Sequence, residues 1–242
     1  METWFMDLKE DFILNFVEQD RWMFLVRGLG VTLEVTFFAL LLGVIIGVIC
    51  ATIRSSYDQN KQDMEQGFLG RCFSFLNWLV EFYITVIRGT PVVLQLLIGY
   101  FVVMVSSTNM VLVASLVFGI NSGAYITEII RSGIMSVDGG QFEAGRSLGM
   151  DYSQTMAFII IPQAFKIVLP TLANEFIALL KETAVCGYIG LMDLTKAGDI
   201  IRGRTFSAFM PLIAVALIYL ALVMLFGWMT GILEQKLRTS ER

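Results

Sequence analysis

Asp138-Gly139-Gly140-Gln141-Phe142-Glu143-Ala144-Gly145-Arg146-Ser147-Leu148-Gly149, and then Ile159-Ile160-Ile161-Pro162, is the stretch that decides how this chain is read. It breaks a run of apolar segments with a polar loop of defined composition. A membrane protein does not need a structured loop of this kind merely to connect two spans. The residue order predicts a short helix, a glycine turn at Gly149 and the start of the next membrane helix near Pro162.

The rest of the 242 residues says what lies on either side. A mean hydropathy of +0.72 is more apolar than a soluble core of this length can hide. Several stretches reach the ~20 apolar residues that a bilayer-crossing helix needs. The chain holds no histidine. That removes the usual triad base, the common zinc and haem ligand and the default acid–base residue. Cys50, Cys72 and Cys186 are odd in number and far apart, so they suggest neither a disulfide framework nor a metal site. No cofactor, metal or nucleic acid is expected. Glu2, Asp7, Glu10, Asp11, Glu18 and Asp20 outnumber Lys9 at the start, unlike a signal peptide, so the first span is expected to stay in the mature protein.

Apolar runs place five spans: about Gly28 to Ile53, Val92 to Val105, Met110 to Ile130, Gln163 to beyond Leu180, and Phe209 to Leu233. Phe73 to Ile87 is interrupted by Asn77 and Glu81 and reads as an amphipathic helix lying at the interface. Arg88-Gly89-Thr90-Pro91 then breaks it. Leu191 to Arg204 is polar and reads as a short helix outside the bilayer. Five spans put the N-terminus outside and the C-terminus in the cytoplasm, in keeping with the acidic start and basic end. Residues 1–242 are expected to form a single domain, with the polar loop at about 134–162.

The spacing of that loop resembles the EAA loop of ABC-importer permeases: Glu143-Ala144-Gly145, three residues, Gly149, nine residues, Ile159-x-Ile161-Pro162. The segments Val86-Ile87-Arg88-Gly89-Thr90-Pro91-Val92-Val93-Leu94-Gln95, Asn121 to Arg131 and Asn174 to Thr183 resemble the polar amino-acid branch of the same family. The resemblance covers roughly Gly28 to Leu233. It departs at Gly139 and Gly140, where Asp-Pro-Gly is usual, at Gly145, where alanine is usual, and at Ala184, where serine is usual. Gly145 costs roughly 1 kcal/mol of helix propensity relative to alanine, which predicts a less rigid coupling helix.

The resemblance implies an all-α integral membrane protein with five transmembrane helices and a cytoplasmic coupling helix, the type I ABC importer permease fold. It implies a non-catalytic transport subunit in the bacterial plasma membrane. Its partners would be a dimer of ABC ATPase subunits, a second identical or homologous permease, an extracytoplasmic amino-acid-binding protein and the lipid bilayer. Glu143, Ala144, Gly145, Leu148 and Gly149 are then expected at the ATPase contact. The substrate path is expected to use Thr90, Gln95, Asn121, Ser122, Tyr125, Glu128 and Glu182. Charges at such depth are costly unless paired or wet. Glu128 and Arg131 also fit a plain ion pair three residues apart on one helix face, and Glu182 also fits an interfacial charge. A surplus of acid in the path favours a cationic amino acid. The alternative function is an ion-gradient-driven amino-acid transporter. Such proteins often carry inverted repeats; none is visible here.

Overall fold

The computed structural model describes residues 9–64 and 68–239. Helices joined by turns and short irregular segments account for them, with no strand among the described residues. The long helices are α1 (Trp22–Met64), α2 (Phe68–Arg88), α4 (Met110–Met135), α7 (Ile161–Glu182) and α9 (Phe209–Thr239). Shorter ones are α3 (Val92–Ile98), α5 (Gly139–Ser147), α6 (Tyr152–Thr155) and α8 (Leu194–Thr205).

Among the described residues, four helical stretches are long and apolar enough to cross a bilayer. A fifth span results if the pair Gly70–Arg88 and Val92–Val103, bent by 105°, is counted as one. The sequence reading instead takes Val92 to Val105 as the span and Phe73 to Ile87 as an interfacial helix. At 1.5 Å per residue the 21 residues of α2 extend about 31 Å, close to the hydrocarbon thickness. The helical run from Val92 to Val103 extends only about 18 Å. So α2 has the length of a span but is not among the four stretches that qualify alone, and Val92–Val103 is too short; the two qualify only as a bent pair. Asn77 does not break α2, because it is buried inside the protein rather than turned outward.

Two compact units emerge from the packing. The first takes the chain up to Ala39, Val92–Phe118 and Ile177–Trp228; the second takes Leu40–Pro91, Gly119–Phe176 and the chain from Met229. In the first unit, Phe16, Leu25, Leu194, Ala197, Ile201 and Val215 form a core. Asp193 caps α8 by accepting hydrogen bonds from the N–H groups of Thr195 and Lys196, both at 3.1 Å. The cap starts α8 three residues later than the polar composition suggests. Burial pushes the Asp193 carboxyl above the usual carboxylate range, while its N–H donors oppose the rise. Further along α8, hydrogen bonds from Arg202 and Lys196 hold Asp199 below that range. Thr32 of α1 accepts from the N–H of Leu194 at 3.1 Å.

In the second unit, α1 and α4 meet along small residues. Gly43 and Gly47 sit one helical turn apart on α1, and Gly119 and Gly123 do the same on α4. A Cβ at Gly47 would lie 2.4 Å from Cγ2 of Ile126, one at Gly119 2.7 Å from Leu42, and one at Gly123 2.9 Å from Ile46. Without a hydrophobic driving force in lipid, helices associate through such close backbone packing. Val80 and Ile84 of α2 pack on Ala124 of α4, and the Tyr83 hydroxyl donates to the Ile120 carbonyl at 2.5 Å. Gly47→Leu should therefore cost about 1–3 kcal/mol through overpacking, read as a lower thermal midpoint of the detergent-solubilised protein. Gly30→Leu, where an added Cβ meets nothing within 4 Å, should leave the midpoint unchanged.

Candidate functional site: a capped polar helix and a polar cavity

Local chemistry folds the decisive loop. Asp138 caps α5 by accepting from the N–H of Gly140 at 2.8 Å. At the other end Met150 donates its N–H to the Gly145 carbonyl at 3.1 Å, across Gly149 at φ +80°. This is a helix stop that needs a residue free to be left-handed, hence glycine. Asp151 and Gln154 then form a reciprocal capping box that starts α6. The rings of Phe142 and Tyr152 stack at 6.0 Å and close the loop on itself. A π-turn, Met156–Ile160, leads into α7.

The loop sorts the five predicted coupling residues. Glu143, Ala144, Leu148 and Gly149 are exposed, Leu148 by 80%. Gly145 is buried: a Cβ there would lie 2.8 Å from both Cγ2 and Oγ1 of Thr155. The absence of a side chain there lets α5 pack against Thr155 within the chain. The expected loss of rigidity is offset, since glycine lets α5 seat on the start of α6. The caps at Asp138 and Asp151 and the Phe142–Tyr152 stack were missed by the sequence reading. The Asp-x-x-Gln pattern at Asp151 would have revealed one of them.

Also in the second unit is a cavity of about 450 Å³ lined by Arg88, Tyr125, Glu128, Ser132, Thr171 and Glu175, with apolar Ile129 and Ile167. It combines both charge signs with hydroxyls. The Arg88 guanidinium lies 5.3 Å from the centroid of the Tyr125 ring, within cation–π range. Ser122, fully buried, donates to Oε1 of Glu175 at 2.9 Å. Glu128 lines the cavity and also faces Arg131, whose Nη1 is 3.7 Å away. Of the predicted path residues, Tyr125 and Glu128 line this cavity and Ser122 reaches it through Glu175. Asn121 is buried beside Ser122 in sequence. Thr90, in the bend just past α2, donates to the Val86 carbonyl at 2.9 Å and does not line the cavity. Gln95 and Glu182 belong to the first unit. The sequence reading had not grouped Arg88 with Tyr125 and Glu128; its signal was a charge at the end of an apolar run.

Residues 67–239 match the family of binding-protein-dependent transport system inner membrane components. The chain belongs to this family. The permease is 36% identical over 221 residues to a putative glutamine transport system permease protein, GlnP, of Rickettsia bellii (strain RML369-C), covering 90% of this chain and 94% of that one. It is 34% identical over 221 residues to the arginine transport system permease protein ArtQ of Bacillus subtilis (strain 168), with the same coverage of 90% and 94%. Among solved structures, the crystal structure of an amino acid ABC transporter with histidines superposes with a TM-score of 0.79 at 37% identity, covering 91% of this chain and 98% of that one. An inward-facing MetNI methionine ABC transporter gives 0.75 at 18% identity, a likeness of fold, covering 91% and 99%. The fold is that of a type I ABC importer permease, and the protein is a multi-pass inner-membrane transport subunit.

The buried position of Gly145 makes a local prediction. Gly145→Leu should force α5 off α6 and speed proteolysis between Asp138 and Asp151 in the solubilised permease. Ala144→Leu, on the exposed face one residue away, should leave the cleavage rate unchanged.

Proposed function

We propose that this permease forms the translocation path of an ATP-driven importer for polar amino acids and is driven by a separate ATPase dimer. One observation carries the reading: α5 is a nine-residue helix capped at its start and stopped by Gly149, with Glu143, Ala144 and the 80%-exposed Leu148 turned outward. Glu143 and Leu148 together give this capped loop an outward charge and an outward apolar group, the two kinds of contact that a partner surface uses. Glu143 supplies a charged contact to the ATPase, Leu148 an apolar one, and Gly149 the sharp exit between them. A second permease, identical or homologous, completes the assembly. An extracytoplasmic binding protein delivers the substrate.

The cavity supports an amino acid as cargo. A zwitterion needs both signs, and Arg88 faces the same 450 Å³ space as Glu128 and Glu175. Two carboxylates against one guanidinium favour a cationic side chain. Each charge-assisted hydrogen bond to the substrate contributes about 1.5–3 kcal/mol. Relatives named for glutamine and for arginine support the polar class. The ion-gradient reading draws no support from these observations.

In proteoliposomes holding the permease, its ATPase and its binding protein, substrate should stimulate ATP hydrolysis and uptake should require ATP. Glu143→Ala and Leu148→Asp should insert normally yet lose most of that stimulation, about tenfold, which corresponds to ~1.4 kcal/mol of contact energy. Full transport by well-inserted variants, or uptake driven by an ion gradient without ATP, would refute the reading.

The proposed topology places the N-terminus outside and the α5 loop and C-terminus in the cytoplasm. Single cysteines at Glu10 and Gln141, in a background lacking the three native ones, should label from opposite sides of sealed vesicles. Labelling of both from one side would overturn it.

A further inference from the structure

Three contacts at the charged end of α1 have no part in either site described above. The hydroxyl of Tyr152 hydrogen-bonds the side chain of Ser56. Asp58, two residues further, accepts from Nε of Arg131 on α4 at 2.9 Å. Arg54 reaches Glu81 of α2 at 3.2 Å. Residues two apart on a helix point about 200° apart. The end of α1 is therefore gripped from opposite sides, by Tyr152 at Ser56 and by Arg131 at Asp58.

What those grips connect is the point. Tyr152 stacks on Phe142 of α5, the proposed ATPase-facing helix. Arg131 pairs with Glu128, which lines the cavity together with Tyr125 of the same helix. A continuous set of contacts thus runs from Phe142 through Tyr152, Ser56, Asp58 and Arg131 to Glu128. The Asp58 and Arg131 side chains are each only 28% exposed, so their pair is partly shielded from water and salt. Between Ser56 and Asp58 the link is helix backbone, which transmits displacement without needing a side-chain contact.

We infer that the end of α1 is a lever between the ATPase-facing helix and the cavity, with Ser56–Tyr152 as its input and Asp58–Arg131 as its output. Tyr152, Ser56 and Asp58 are positioning residues: they touch neither substrate nor nucleotide. A shift of α5 moves Tyr152 through the ring stack. Tyr152 moves the α1 end through Ser56, and Asp58 pulls Arg131, changing the partner that Glu128 has in the cavity. The inference rests on the proposed coupling of α5 to an ATPase.

Contiguity alone does not establish coupling, so the test measures coupling itself. Tyr152→Phe keeps the ring stack and deletes the hydroxyl; Asp58→Asn keeps the shape and deletes the charge. In the reconstituted complex each should lower substrate transported per ATP hydrolysed by about fivefold, within the range by which residues between coupled sites act. Basal ATP hydrolysis and the thermal midpoint should stay as in the wild type. Ser56→Ala with Tyr152→Phe should cost no more than either alone, because both remove one link. Full transport per ATP in Tyr152→Phe, beside a normally stimulated wild type, would overturn this inference alone, and so would additive losses in the double variant. A wild type whose ATP hydrolysis substrate fails to stimulate would overturn the underlying coupling together with it.

Discussion

Close backbone approach between α1 and α4 is the constraint on which the second unit depends. Gly47 on one helix and Gly119 and Gly123 on the other leave no room for a Cβ at the seam, and one at Gly43 would sit tightly, 3.2 Å from Ser122. In a lipid solvent the tails are as apolar as leucine, so burial gives helices little reason to associate. Van der Waals contact at small residues supplies it instead. Ser122, buried in this seam, places its hydroxyl on Glu175, and Tyr125 and Glu128 follow on α4 as cavity residues. The packing that holds the helices together thereby positions the polar groups.

The polar loop is built on the opposite logic. It owes little to distant packing and much to backbone hydrogen bonding near in sequence. Asp138, Gly149 and the Asp151–Gln154 box satisfy helix ends that would otherwise be left without partners. Such a unit keeps its shape while presenting Glu143 and Leu148 outward. A contact surface that must bear force benefits from being rigid before its partner arrives, since less ordering is left to be done on binding.

Between loop and cavity, charge is handled by pairing. Arg131 is shared by Asp58 and Glu128, and Arg54 meets Glu81. Arg88 lies over the face of Tyr125, a favourable seat for a cation. Charged groups at such depth are costly unless paired or wet.

The sequence by itself determined the membrane class, the helical fold and the family. Each rests on signals local in the chain: ~20-residue apolar runs, the Glu143–Ala144–Gly145…Gly149 spacing and the turn residues. It also marked Tyr125, Glu128 and Glu143. The tertiary structure alone decided which face each residue shows. Gly145, grouped with Ala144 by position, turns inward because one residue of helix rotates a side chain by about 100°. Asn77 and Glu81 mark α2 as amphipathic, and only the fold shows that Asn77 is buried and that Glu81 meets Arg54, a residue outside its own segment. Arg88 joined Glu175 in one cavity although 87 residues separate them in the chain. Periodicity and spacing report on neighbours a few residues apart. Pairings across the fold depend on how the helices pack, and here that was set by glycines whose partners no local pattern names.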